Sequence, residues 1–387
     1  MTEGEQVRIA IIGYGGMGKA HSFAYRVAPL FRALPVEPRV QVIAGRHAQA
    51  VERAARAYGV PEWSADWRTV VARPDIDIVD VCTPAGSHAE IVAAAASAGK
   101  AIFCEKALST SYAQGRSALR AVEAAGVLNA IGFNYRRLPA VSLMKQLIDE
   151  GKIGTVLLWR ARWLTDEFAD PAIPFDWRFD PHVGGSTIAD LGAHLIDLAD
   201  WMVGPIEEVI AQSETFVPRR ADAEGGSPRA VTIDDASSAL VRFANGARGN
   251  FEMARSCVRR PCDMTIEVNG TLGTLMFDYT RLNELWYGAA SDEPRLYGLH
   301  RIRAEHPSHP YSPDWWPIGQ GVGWGSSFVN QVCDLLERWP HGPWIPDLRQ
   351  GLRVQAVCEA MERSARERRW LTVREVEQQD ASEAAPP

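Results

Sequence analysis

The sequence predicts an α/β chain of two domains: an N-terminal doubly wound parallel sheet, then an α+β domain with a large open, mostly antiparallel sheet. Three observations carry that expectation. A β-branched apolar run at 7–12 ends in a glycine-rich turn and a helical stretch, and further β-rich runs at 40–44, 76–82, 101–104 and 128–133 alternate with alanine-rich stretches at 48–58, 87–98 and 111–125. Strands alternating with helices make a parallel sheet covered on both faces. After Gly151 the rhythm changes to strand-like runs at 153–164, 209–216, 236–243, 248–254, 264–268 and 274–278, with the hairpin signals Asn245-Gly246 and Asn269-Gly270 between consecutive runs. Finally, 387 residues with 46% hydrophobic and 23% charged side chains suffice for more than one core and exclude a chain disordered throughout.

The expected boundaries are 1–135 for the first domain, 136–377 for the second and 378–387 for a disordered tail. Terminal helices at 326–339 and 348–366 are expected to pack back near the first domain. A helix is expected over 187–202, a mobile surface loop over 218–230 and a lengthened link, bearing Pro29, Pro35 and Pro38, over 28–38. Residues 291–325 combine little periodicity with Tyr311, Trp315, Trp316 and Trp324. An irregular stretch of that length is usually functional, and its aromatics either line a ligand site, cover a domain interface or fill core. An open antiparallel sheet tends to bury its free face against another subunit, so a homodimer or homotetramer through the C-terminal sheet is expected.

Lys plus Arg total 41 against 48 Asp plus Glu, a net charge of -7, which offers no basic field to nucleic acid or anionic lipid. No apolar stretch approaches the roughly 18 residues of a membrane span, and the opening Met-Thr-Glu-Gly-Glu-Gln is acidic and polar where a signal peptide is basic and then apolar. The cysteines (Cys82, Cys104, Cys257, Cys262, Cys333, Cys358) show no paired metal spacing. Reduced core thiols in a cytoplasmic protein, with a small molecule as partner, fit best.

Gly13, Gly15 and Gly18 follow a predicted strand and open a predicted helix within a βαβ pattern, the context in which a glycine fingerprint implies a dinucleotide. Gly13 permits the sharp turn, Gly15 lets the backbone approach a pyrophosphate and Gly18 allows close helix packing. Gly16 and Met17 complete the turn, and the helix start offers free N–H groups to the phosphates. The end of the second strand reads Ala44-Gly45-Arg46-His47 where an acidic residue would bind the adenosine ribose of NAD. Arg46 is therefore expected to pair with a 2′-phosphate or to lie on the adenine, which tilts the choice between NAD and NADP toward NADP; a solvated arginine is the plain alternative.

The glycine fingerprint, Thr83-Pro84 with His88, Glu105-Lys106 and the stretch Gly184-Gly185-Ser186-Thr187-Ile188-Ala189-Asp190-Leu191-Gly192-Ala193-His194-Leu195-Ile196-Asp197 occur in that order in one chain. Together they resemble the glucose-fructose oxidoreductase, inositol dehydrogenase and MocA (Gfo/Idh/MocA) family, with the likeness running from about 7 to about 366. The resemblance implies an N-terminal Rossmann domain, and hydride exchange between NAD or NADP and a secondary hydroxyl or ketone of a sugar, glycoside or cyclic polyol such as inositol. It places the family's lysine at Lys106, its aspartate at Asp190 and its histidine at His194. It also sets Thr83, Pro84 and His88 beside the nicotinamide, and gives Glu105 to the cofactor ribose or to the fixing of Lys106. Arg136, in the segment leaving the last Rossmann strand, and Trp177, ahead of the catalytic helix, are implied to border the substrate. The chain departs from the family pattern at Ala107, where proline is common, at Ser186, where a third glycine is common, and in the 28–38 link, which would lie near the adenosine.

The chemistry agrees with that transfer. Lys106 follows the strand 101–104 at its carboxyl end, where open parallel sheets bind ligands. It is one of five lysines beside 36 arginines, which suggests that a compact ammonium is needed there. Asp190, His194 and Asp197 fall on one face of a helix. Taking hydride from a carbinol carbon leaves a proton on oxygen, and an imidazole titrates in the range a base for that proton requires. His194 is thus expected as general acid/base, Asp190 to orient it or hold a neighbouring hydroxyl, and Lys106 to hold the reacting oxygen. Asp190 and His194 would also suit a structural pair or two ligands of a metal, but no further ligands are evident and no metal is expected. The alternatives to a dehydrogenase are a redox-inactive dinucleotide sensor and a redox-assisted epimerase or glycoside-cleaving enzyme with recycled cofactor.

Overall fold

A computed structural model describes residues 5–223 and 225–383. The strands are β1 (Glu5–Ile12), β2 (Val36–Ala44), β3 (Glu62–Ser64), β4 (Ile78–Val81), β5 (Ala101–Cys104), β6 (Asn129–Ile131), β7 (Val156–Leu164), β8 (Ile206–Glu214), β9 (Arg219–Arg220), β10 (Arg229–Ala230), β11 (Ala236–Phe243), β12 (Arg248–Ala254), β13 (Asp263–Gly270), β14 (Gly273–Asp278), β15 (Glu284–Ala289), β16 (His300–Arg303) and β17 (Leu371–Thr372). The α-helices are α1 (Gly16–Phe31), α2 (Ala48–Tyr58), α3 (Trp67–Val71), α4 (His88–Ser97), α5 (Tyr112–Ala125), α6 (Pro139–Asp149), α7 (Ala193–Met202), α8 (Gly325–Leu336), α9 (Leu348–Glu367) and α10 (Val373–Glu383). Two compact units result. One contains the residues up to Arg137 and Gly323–Leu352, and the other contains Leu138–Val322 and the residues from Arg353 on.

The first unit is built on a parallel sheet of order β3-β2-β1-β4-β5-β6, the doubly wound arrangement whose order reverses beside β1. Short stop signals set the helices: α2 ends at Gly59 (φ 66°) and α5 at Gly126 (φ 64°), while the Ser111 hydroxyl accepts from the Gln114 amide to start α5. The lengthened link expected over 28–38 is not found. Helix α1 continues through Pro29 to Phe31, and β2 begins at Val36. Pro38 is tolerated because β3 flanks β2 only from Val42 to Ala44, so its missing N–H falls on an open edge. Helix α8 packs on α1 from the far end of the chain, with Arg32 and Asp334 3.1 Å apart.

The second unit carries a nine-stranded sheet of order β16-β15-β14-β13-β7-β12-β11-β8-β17, antiparallel except between β7 and β12. Alternation places Ala239, Val241, Phe251 and Met253 on its covered face, with Trp159, Ile266, Leu275 and Phe277 filling the same core. The β11–β12 hairpin turns at Asn245-Gly246 as expected, with Gly246 at φ 90°. The next turn lies two residues later than expected, at Thr271-Leu272, because Gly270 pairs with Val156 past a bulge, where any Cβ would overlap the Ile153 carbonyl.

The expected mobile loop over 218–230 is corrected. Strands β9 and β10 pair within it, and the buried Arg220 guanidinium donates to the carbonyls of Phe168, Asp170 and Ile173 at 2.9, 2.9 and 3.2 Å. The expected disordered tail is also partly helix, since α10 reaches Glu383 after Glu375 accepts the Thr372 amide at 2.9 Å; the last four positions of that expectation lie outside the described residues.

The expected helix over 187–202 begins as a wide π turn at Ile188–Gly192 before becoming α7. Its entry is anchored twice. The Ser186 hydroxyl donates to Glu362 and accepts from the Ala189 amide at 3.0 Å. Thr187 donates its amide to Asp234 Oδ1 at 2.7 Å and its hydroxyl to the Asp234 carbonyl at 2.5 Å. Burial, against the opposing bond from Ser186, pushes the Glu362 carboxyl up to about 7, from 4.5 when unfolded. The folded state therefore holds the extra proton between those values, and stability declines as pH rises from 4.5 to 7. Glu362→Gln should remove that decline. Relative to the parent, urea unfolding should find the variant roughly 1–3 kcal/mol better placed at pH 8 than at pH 5.

Candidate active site

In the first unit, three glycines shape the turn after β1. Gly13 has φ 117°, and a Cβ there would overlap the Cys82 carbonyl; one on Gly18 would overlap the Gly13 carbonyl. Gly15 and Gly16 face open space instead, with nothing within 4 Å of an added Cβ. Gly15 caps α1 without a side-chain bond, and no acidic residue occupies the first turn. Exposed N–H groups at the positive end of a 16-residue helix, with no side chain in the way, suit a pyrophosphate. At the end of β2, Arg46 and His47 are exposed, and the Tyr14 ring occupies the space beside Gly45 that a side chain would fill.

Lys106 is held by its neighbours. Glu105 Oε2 accepts the Lys106 amide at 3.1 Å, and Oε1 lies 2.9 Å from His21 Nε2. His21 Nδ1 is 2.8 and 3.0 Å from the two oxygens of Asp80. Burial alone would push this imidazole down, but the Asp80 carboxylate overcomes it, and the pKa lies well above the ordinary value. Downstream, the buried His88 ring lies 2.8 Å from the Ala107 carbonyl and 2.6 Å from the Thr83 carbonyl. His88 thus acts as a strut between the Thr83-Pro84 turn and the Lys106-Ala107 turn. Arg136 is also buried in this unit, 4% exposed in the single turn Asn134–Arg137.

In the second unit, the π turn presents Asp190 and α7 begins with Ala193 and His194. The Asp190 side chain is 33% exposed, and the buried Arg255 guanidinium lies behind it, Nη1 to Oδ2 3.7 Å. Arg255 also lies 4.9 Å over the Phe168 ring, while its Nη2 donates to the Asp234 carbonyl at 3.4 Å. His194 is buried with the Trp163 ring 5.5 Å away, and Asp197 is buried deeper on α7. Partial burial and then Asp190 push the Glu167 carboxyl up, beside Arg178. Arg178 lies 4.5 Å over the half-exposed Trp177, whereas Phe175 and Phe179 belong to a buried cluster with Phe168. Trp315 and Trp316 line a shallow hollow with Pro139, Glu305 and Gln320.

Sequence reasoning did not find His21, Asp80, Asp234 or Arg255. Asp80 had a signal, a charge inside the apolar strand 76–82, and His21 had the same helix face as Gly18; Arg255 had none. His21, Asp80 and Cys82 also bring three ligand-type atoms within 4.8 Å of one another, but both nitrogens of the ring already face carboxylates. None of the six cysteines forms a disulfide.

Known proteins match this arrangement along most of the chain. Residues 7–133 match the oxidoreductase family with an NAD-binding Rossmann fold, and residues 141–276 match the GFO/IDH/MocA C-terminal domain. Levoglucosan dehydrogenase of Pseudarthrobacter phenanthrenivorans is 37% identical over 391 residues, covering 96% of this chain and 99% of its own. A crystal structure of an oxidoreductase domain protein from Kribbella flavida superposes with a TM-score of 0.92 at 41% identity, covering 95% of this chain and 99% of its own. A levoglucosan dehydrogenase in complex with NADH and levoglucosan gives the same TM-score of 0.92 at 37% identity, covering 95% of this chain and all of its own. This chain therefore belongs to the Gfo/Idh/MocA family and is a nicotinamide-dependent oxidoreductase that exchanges hydride with a hydroxyl or ketone of a sugar or polyol.

Proposed function

We propose that this protein oxidises a secondary hydroxyl of an anhydrosugar or glycoside, with levoglucosan as the first substrate to try. The observation that carries this is identity and extent taken together. Levoglucosan dehydrogenase is 37% identical over 96% of the chain, including the irregular 291–325 stretch, whereas scyllo-inositol 2-dehydrogenase of Bacillus subtilis is 31% identical over 71% and inositol 2-dehydrogenase of Rhizobium meliloti 25% identical over 95%. When bound, NAD supplies the hydride acceptor. His194 takes the hydroxyl proton, Lys106 holds the reacting oxygen as its charge develops, and Asp190, backed by Arg255, orients the imidazole or a neighbouring hydroxyl. Trp177 offers an apolar ring to the sugar's C–H groups, and Arg136, Thr83 and Pro84 shape the surroundings of substrate and nicotinamide.

The finer assignments belong to the same proposal. Arg46 stands where a ribose-binding acid is absent, which suits a 2′-phosphate, so NADP should be accepted beside NAD. The open face of the large sheet exposes Leu157, Leu158 and Leu240, and a second copy is the partner expected to cover it. No described helix is long and apolar enough to cross a membrane, and thiols without disulfides suit a cytoplasmic enzyme.

Spectrophotometric assay of levoglucosan, glycosides and inositols with both cofactors tests the substrate class; clear NADH binding without cofactor reduction on any of them would refute it. Lys106→Ala and His194→Ala should each lower kcat by about 10²–10⁴-fold while NADH affinity changes less than about fivefold. Wild-type turnover in both would remove the assigned roles. Arg46→Ala should raise KM for NADP about tenfold and leave KM for NAD within about twofold, and a parent enzyme that ignores NADP would show that Arg46 binds no phosphate.

A further inference from the structure

We propose that His21 is a positioning residue for Lys106, acting through Glu105 as a buried imidazolium clamped between two carboxylates. The proposal rests on the role given to Lys106 above and deepens it. His21 is fully buried, as is Asp80, and Glu105 is 3% exposed. Carboxylates only accept hydrogen bonds, so a ring with Asp80 on Nδ1 and Glu105 on Nε2 donates from both nitrogens and carries a positive charge. The ring stacks on Phe103 at 4.8 Å and 18°, with Phe328 at 5.5 Å, so its plane is fixed as well as its hydrogen bonds. The Cys82 thiol donates to Asp80 Oδ1 at 3.3 Å, leaving the aspartate firmly placed.

Glu105 is boxed in by the same set. One oxygen meets His21, the other takes the Lys106 amide, and a Cβ on Gly132 would stand 2.6 Å from Oε1. The Glu105 amide donates to the Val81 carbonyl at 2.9 Å. Lys106 is thereby pinned at its own N–H by Glu105, and at the following carbonyl by His88. Only the torsions of its stem remain to place the ammonium.

A buried ion trio of this kind is weak evidence for stability, since desolvation offsets most of the attraction. Its geometric effect is strong, because an error of about 1 Å in a reacting group can cost about 10²-fold in rate. His21 touches neither substrate nor cofactor in this account; it fixes the carboxylate that fixes the lysine backbone.

The test uses the full chain with His21→Gln and Gly132→Ala, the second displacing Glu105 while leaving His21 and Asp80 intact. Five lysines make selective ¹⁵N-lysine labelling simple, and Lys106→Arg identifies the Lys106 amide. Expected for His21→Gln are a 10- to 100-fold lower single-turnover rate, an NADH dissociation constant within threefold of the parent, and a shifted, faster-exchanging Lys106 amide, with those of Lys145 and Lys152 unmoved. Gly132→Ala should give the same pattern more weakly, and it decides the matter if His21→Gln does not fold. The proposal is overturned by a folded variant that keeps both the parent rate and the parent Lys106 amide, or by one in which rate, NADH affinity and every lysine amide change together. If the parent protein oxidises no sugar, the function proposed above fails; an unmoved Lys106 amide in the variants would then overturn this proposal separately, and a selective shift would uphold it.

Discussion

The first unit is organised by the contact of backbone with backbone. Gly18 lies against the Gly13 carbonyl and Gly13 against the Cys82 carbonyl, each too close for any Cβ. These two contacts bring α1 down onto the ends of β1 and β4. Three residues past Gly18, on the same face of the helix, His21 then reaches Asp80 on β4 and Glu105 just beyond β5. A side chain at 13 or 18 would lift the helix, opening the phosphate turn and parting the imidazolium from both carboxylates. One steric constraint thus serves cofactor binding and the placing of the lysine.

The second unit meets the same need with different chemistry. Its acidic group Asp190 sits on a π turn rather than within a regular helix, and wide turns of this type recur at functional sites because they redirect a side chain. Such a turn requires firm ends. Ser186 and Thr187 supply one, tied to Glu362 and Asp234, and α7 supplies the other. Arg255 spans the two functions, with Nη2 on the carbonyl of the anchoring Asp234 and Nη1 toward Asp190. Ser186, a departure from the glycine common in the family, is therefore an anchor here: its hydroxyl makes the bond to Glu362 that no glycine can make.

What was legible in the sequence follows from range. The alternation of strands and helices, the glycine turn and the Asn245-Gly246 hairpin depend on neighbours a few residues apart, and they appeared where the pattern placed them. Lys106, Asp190 and His194 could be proposed as site residues through the family resemblance, because their motifs are local. Arg220 and Arg255 could not, since each is buried by carbonyls or a carboxylate that its flanking sequence does not reveal. The 218–230 stretch looked mobile for the same reason: its polar composition is real, and the three carbonyls that fix Arg220 come from some 50 residues earlier. The 28–38 link fails differently: α1 continues through Pro29 to Phe31 although the proline forgoes one i→i−4 bond, and an open strand edge accepts Pro38.

The distribution of cations sharpens the case for Lys106. Several of the fixed cations in this protein are arginines, as at Arg255, Arg220 and Arg353, whose Nε lies 2.7 Å from Asp200. Their partners are carboxylates and backbone carbonyls, acceptors that a planar fork suits. Lys100 shows an ammonium held by backbone as well: its Nζ donates to two carbonyls, of Arg73 and Ile76 at 2.6 and 2.8 Å. The oxygen in a carbinol oxidation starts as a hydroxyl and ends as a carbonyl, so its acceptor directions change during the step. A compact charge with three rotatable donors can follow that change, provided that its stem starts from a fixed place. In the role proposed for Lys106, the bonds of Glu105 and His88 to the 106–107 backbone supply that fixed place, and the stem places the ammonium.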